Sequence, residues 1–131
     1  EWVDCYKVYI SYAYGERGDF PYFVMGKPFL GEPNTCCSET YLVIAPNEQI
    51  QYCMNVIKYL KTKFLRFLVL LKKNTQHATS KVYAFVPIQN FTSKGDIDWS
   101  KSIPEINQQL YVKYHLTDEE IAFIEKMIKP M

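Results

Sequence analysis

Residues 47–73 read NEQIQYCMNVIKYLKTKFLRFLVLLKK, and this stretch decides the fold class. Apolar side chains recur at Ile50, Cys53, Ile57, Leu60, Phe64, Phe67, Leu68 and Leu71. At about 100° per residue they gather within an arc of roughly 100°, the signature of an amphipathic helix with one core-facing stripe. Lys58, Lys61, Arg66, Lys72 and Lys73 fall on the opposite side, and Lys63 lies apart. Asn47 is the expected N-cap, with Glu48 in the first turn. The pattern is long for one helix, which leaves room for a break near Lys61-Thr62.

On the N-terminal side, Tyr6–Tyr12 is β-branched and aromatic and predicts a strand. Residues 15–19 read as a turn, and Phe20–Met25 as a second strand whose start is limited by Pro21. Residues 26–35 carry two Pro and two Gly and read as a loop. Glu39–Ala45 is a third strand, apolar in its second half as buried strands are. On the C-terminal side, residues 74–80 form a polar loop and Lys81–Ile88 a strand that Pro87 ends or confines to an edge. Residues 90–105 look irregular, and Ile106–Tyr114 is a short helix. Thr117-Asp118-Glu119-Glu120 is a capping box that starts a last helix running to about Lys129. Strands and helices do not alternate regularly. The expected architecture is therefore α+β: a small mixed or antiparallel sheet packed on one long helix, with C-terminal helices.

The chain has 131 residues, 48% hydrophobic and 22% charged, which fits a single domain over 1–131, with the sheet and long helix in 1–95 and a helical tail in 96–131. It opens Glu1-Trp2-Val3-Asp4, with neither an initiator Met nor a signal-type segment, and is expected to be an excised C-terminal piece of a longer protein. The longest apolar run, Phe67–Leu71, is five residues, against the roughly 20 that span a bilayer. No membrane partner is expected. Cys5, Cys36, Cys37 and Cys53 contain no C-x-x-C and are expected to be free thiols in a reducing cytoplasm.

Charge is segregated along the chain. Residues 1–48 carry a net −4, and residues 96–131 a net −3. Residues 49–95 between them carry eight cations (Lys58, Lys61, Lys63, Arg66, Lys72, Lys73, Lys81, Lys94) and no acid. Such a stretch inside a near-neutral domain predicts one positive face, either a polyanion site or a solvated helix surface.

Common catalytic signatures are missing from the sequence. There is no H-E-x-x-H, G-x-S-x-G, Walker A or G-x-G-x-x-G. His77 and His115 lie 38 residues apart and read as surface histidines, and Asp96 and Asp98 read as turn residues. No Asn/Asp-Pro-Pro-Tyr/Phe motif and no nuclease Asp/Glu-x-Lys follows a strand. The piece is expected to be noncatalytic by itself, with no metal site.

Several blocks are similar to one family. Lys7–Ser11, Lys27–Thr35 and Glu39–Ile44 resemble the C-terminal part of bacterial restriction–modification adenine-specific DNA methyltransferases, a class that includes chains combining methylase and endonuclease. Val56–Phe67 resembles a helix of their target-recognition domains, and Lys72–Ala78, Lys81–Pro87 and Leu110–Ile121 continue the similarity. The family tends to have Gly where His115 stands. The resemblance implies a sequence-reading domain with double-stranded DNA and the rest of its parent chain as partners. S-adenosylmethionine would bind the missing N-terminal part. The DNA-binding residues expected are Lys58, Lys61, Lys63, Arg66, Lys72 and Lys73 for phosphates, with Asn74, Thr75, Gln76, His77 and Lys81 beside the basic helix, and Lys27, Asn34, Thr35 and Ser38 on a second loop, suited to base edges. Asn74 as a helix cap and Asn34 as a turn residue stay open as alternatives. The stripe Phe64, Phe67, Leu68, Leu71 is expected in the core. A rival function is a protein-interaction module, which an exposed apolar patch would favour, with Leu65 and Val69 as candidates for it. A third is a degenerate nuclease, which a cluster of three acids would support.

Overall fold

The computed structural model describes residues 5–11, 24, 27–34, 41–73 and 87–131. The expected strand at residues 20–25 (Val24 apart), the loop at 74–80 and residues 81–86 of the strand at 81–88 lie outside the described residues. The fold is α+β. A three-stranded antiparallel sheet has the order β2-β1-β3, with β1 Tyr6–Ser11, β2 Phe29–Gly31 and β3 Tyr41–Asn47. Among the described residues four helices follow: α1 Ile50–Lys61, α2 Lys63–Lys73, α3 Ile103–Lys113 and α4 Asp118–Met127. None of these is long and apolar enough to cross a membrane.

The central strand is buried on both faces. Val8 and Ile10 point into the core shared with Cys53 and Ile57 of α1. Lys7 and Tyr9 alternate to the other face and close over β2. A Cβ on Gly31 would come within 2.4 Å of the Tyr9 ring and 3.0 Å of Lys7 Cγ, so only glycine fits there. Buried Lys7 donates from Nζ to the carbonyls of Glu32 (3.0 Å) and Cys5 (3.3 Å). β2 was read in the sequence as loop, because three residues flanked by Pro and Gly show no alternation.

β3 runs further than its sequence suggests. It passes through Pro46 to Asn47, with a bulge where Tyr6 pairs Asn47 but Val8 pairs Ile44. Ala45 takes the left-handed conformation (φ 53°) that this extra residue requires. Asn47 is therefore a strand residue and not the helix N-cap; its Oδ1 accepts from Gln49 N at 2.8 Å, and Gln49 holds the N-cap position without a side-chain bond.

The long helical pattern is two helices joined by one residue. Thr62 is extended (φ −68°, ψ 150°). Its Oγ1 donates to Tyr59 O (2.7 Å), closing α1, and accepts from Leu65 N (3.2 Å), opening α2. The joint resets the helical phase. Phe64, Leu65, Val69 and Leu70 lie in the core, whereas Phe67 and Leu68 are half-buried against it and Leu71 is 49% exposed. The expected core stripe on α2 holds at Phe64 and is corrected at Leu71, and Leu65 and Val69 are no part of an exposed patch. Ile50 at the start of α1 is exposed as well.

α3 begins three residues before its expected start. Ser102 and Glu105 form a reciprocal capping box with Pro104 in the first turn, a signal present in the sequence as S-x-x-E. α4 starts at the capping box read from Thr117 and Glu120. Between them, α3 ends in a Schellman motif: Leu116 N donates to Tyr111 O (3.0 Å) and His115 N to Val112 O (3.1 Å). His115 sits at φ 56°, where glycine is the unstrained choice. His115→Gly should therefore raise unfolding stability by about 0.5–1 kcal/mol, after the extra chain entropy of glycine is deducted; chemical denaturation of the two proteins measures it.

Residues 87–102 contain no helix or strand and are anchored by rings. Trp99, Phe91 and Tyr59 pack with centroids 5.1–5.9 Å apart, and Trp99 Nε1 donates to Asn90 O (2.9 Å). Tyr59 donates to Pro87 O at 2.9 Å, and burial pushes its hydroxyl up to about 12.

Candidate nucleic-acid interface

Local structure sorts the expected cations into distinct roles. Arg66 is fully buried. Its Nη2 donates to Lys61 O (2.9 Å), a carbonyl that α1 leaves open at its end, and its Nε to Thr62 O (3.2 Å), which also accepts from Arg66 N (3.3 Å). The guanidinium thus clamps the α1–α2 joint, and its expected role as a phosphate contact is replaced by this structural one. Lys63 pairs with Glu125 Oε1 of α4 at 2.9 Å. The other oxygen of Glu125 accepts from Tyr111 Oη (2.8 Å) and Asn107 Nδ2 (3.2 Å), and Asn107 Oδ1 in turn caps Phe64 N (2.9 Å). Partial burial raises the Glu125 pKa, but the bonds from Lys63 and Tyr111 outweigh it and hold the carboxyl below its ordinary value.

Lys58 lies along α1 and donates to Trp99 O at 2.7 Å, fixing the irregular segment. Lys61, one turn further, is half-buried. Burial lowers its pKa, and the nearby charge of exposed Lys27 lowers it further. The two lysines come from segments far apart in sequence, and among the described residues neither is in an ion pair. Lys61, Lys63 and one edge of Arg66 line a shallow cleft of about 200 Å³, opposite Asn107, Gln108 and Glu125.

Asn34 is exposed in the turn after β2, at φ 66° behind Pro33, the Pro-Asn pattern of a type II turn. Lys72 and Lys73 end α2. Thr35, Ser38, Asn74, Thr75, Gln76, His77 and Lys81 lie outside the described residues. The fold thus brings Lys61 and Lys63 to one cleft, puts Lys61 within the field of Lys27, and buries Arg66. Neither the Lys27–Lys61 approach nor the engagement of Lys63 by Glu125 has a local sequence signal, since both depend on tertiary packing.

A wider cleft of about 1,000 Å³ opens between the start of α1 and residues 91–100, lined by Asn47, Gln49, Gln51 and Asn55 on one side and Thr92, Asp96 and Asp98 on the other. Its polar groups are largely spent on one another. Asn55 bonds Gln51 and Phe91 O, Asp98 accepts from Ser100 N and Oγ, and Asp96 pairs with Lys113 at 2.9 Å. Both acids have lowered pKa values: Asp96 from the Lys113 bond, Asp98 from Ser100.

Among the described residues no three His, Cys, Asp or Glu side chains meet as a metal-binding group. Cys53 is a free thiol that donates to Ala45 O, and burial, then the neighbouring Cys5, raises its pKa, which disfavours the thiolate. No family model matches the chain, nor does any curated protein or any solved structure.

Proposed function

We propose that this domain is a noncatalytic DNA sequence-recognition module of a restriction–modification adenine methyltransferase. The observation that carries the reading is the acid-free stretch 49–95 with its eight cations, one of which, Lys61, feels the charge of Lys27 from a distant segment. A phosphate backbone is the ligand that such a concentration of positive charge suits. On this reading Lys27 and Lys61 contact phosphates, together with Lys72, Lys73 and Lys81 from the acid-free stretch. Lys63 joins them where a phosphate competes with Glu125. Asn34, Thr35 and Asn74–His77 are the amides, hydroxyls and imidazole offered to base edges. S-adenosylmethionine and the base-flipping step belong to a catalytic part outside this chain, and the parent protein works in the cytoplasm.

Fluorescence anisotropy with random-sequence duplexes tests it. The double variant Lys27→Ala/Lys61→Ala should bind all duplexes more weakly, with the log–log salt slope smaller by about 1.8, or 0.9 per lost phosphate contact. A chain that ignores duplex DNA at low salt, or a variant with an unchanged slope and native circular dichroism, overturns the proposal.

A rival reading, a protein-docking module, is favoured by one observation: Phe123 and Leu71 are large apolar residues left half exposed on the α2–α4 side.

A further inference from the structure

α2 carries more apolar surface than the core uses. Leu65, Val69 and Leu70 are buried, yet Phe67, Leu68 and Leu71 add a second apolar face, half-buried to exposed. A helix apolar on both sides is covered on both sides. On that second face Phe67 meets Phe123 of α4 edge-on at 5.8 Å, and a groove of about 350 Å³ runs between the two helices, floored by Phe64, Leu68 and Ile124.

The outward stripe of α4 identifies what covers it. Glu119, Ala122, Phe123 and Lys126 occupy positions i, i+3, i+4 and i+7, and all four are exposed, Phe123 by 51%. The helix dipole explains an acid near the start and a base near the end. It does not explain a large aromatic ring left half in water between them. A two-fold axis between residues 122 and 123 does. It lays a second α4 antiparallel across the first, bringing Glu119 opposite Lys126 of the other copy, twice by symmetry. The same operation sets the small Ala122 against the large Phe123. Charge and shape are both self-complementary under one operation.

We infer that α4 is a homodimerisation helix, pairing antiparallel with α4 of a second copy of this chain and covering the apolar α2–α4 face. This surface lies on residues other than Lys27 and Lys61, and the inference stands apart from the DNA reading. The helix pair and the flanking α2 residues form a small contact, in the range of reversible association.

Sedimentation equilibrium of the full chain tests it. The wild type should show a monomer–dimer equilibrium within a concentration range up to about 500 μM. Lys126→Glu sets like charges opposite at both symmetric sites and should weaken the dimer by on the order of tenfold or more. The double swap Glu119→Lys/Lys126→Glu restores both pairings and should recover most of the loss, which a merely damaged helix would not do. Circular dichroism checks that each variant is folded. A wild type that stays monomeric throughout, including one that instead binds a basic amphipathic peptide, overturns the inference. So does a double swap no better than Lys126→Glu alone.

Discussion

Replacing Trp99 by alanine should remove about 4 kcal/mol of stability, the largest single loss expected in this domain. Trp99 is 4% exposed, packs at a tilt against Phe91 at 5.1 Å and meets Tyr59 edge-on at 5.9 Å. Its indole N–H is spent on Asn90 O, and its own carbonyl receives Lys58 Nζ. Truncation opens a cavity between α1 and a segment that has no ladder or helix of its own to retain it. Trp99→Phe keeps part of the ring contact and should lose only about half as much, because the hydrogen bond to Asn90 goes but the cavity is smaller. Urea denaturation gives both values. A loss below about 1 kcal/mol for Trp99→Ala would mean that residues 87–102 are not docked by this ring.

Arg66→Ala should follow at about 3 kcal/mol. The substitution strips two charge-assisted hydrogen bonds from the end of α1 and leaves Lys61 O and Thr62 O without that donor, in a site closed to water. It also removes the packed aliphatic stem. Arg66→Met keeps the stem and should cost about half of that. Arg66→Lys should rescue little, since one ammonium on a different stem does not reproduce the planar fork. Denaturation midpoints give the order Ala, Lys, Met, wild type from least to most stable. A stable Arg66→Ala protein that has lost DNA binding would return Arg66 to the role its sequence position first suggested.

That reversal shows where the sequence was legible. β1 and β3 were visible because β-branched and aromatic residues cluster in them, and α4 because Thr117 and Glu120 spell its start. The same logic was available for α3 at Ser102 and Glu105 but was masked by the irregular segment before it. The phase of α2 was not legible. Fifteen apolar or aromatic residues in 50–73 satisfy more than one stripe, and the choice was made by Thr62, a residue whose hydroxyl competes with the helix for backbone partners. Charge was legible as a count and not as a surface. Eight cations in one stretch said nothing of Arg66 turning inward, Lys63 meeting Glu125, or Lys27 bringing its charge to bear on Lys61.

The kink in β3 has a bearing on how this protein keeps company. Among the described residues β3 is an outer strand, and at Ala45-Pro46 it combines a left-handed residue with one that has no amide hydrogen to give. A stray strand arriving there finds its ladder interrupted after a few rungs. On the opposite flank β2 offers only three residues, one of them glycine. Lateral accretion of sheets, the route to fibres, is thereby discouraged on both sides, and self-association is left to the helices, where a two-fold contact closes on itself and stops at two.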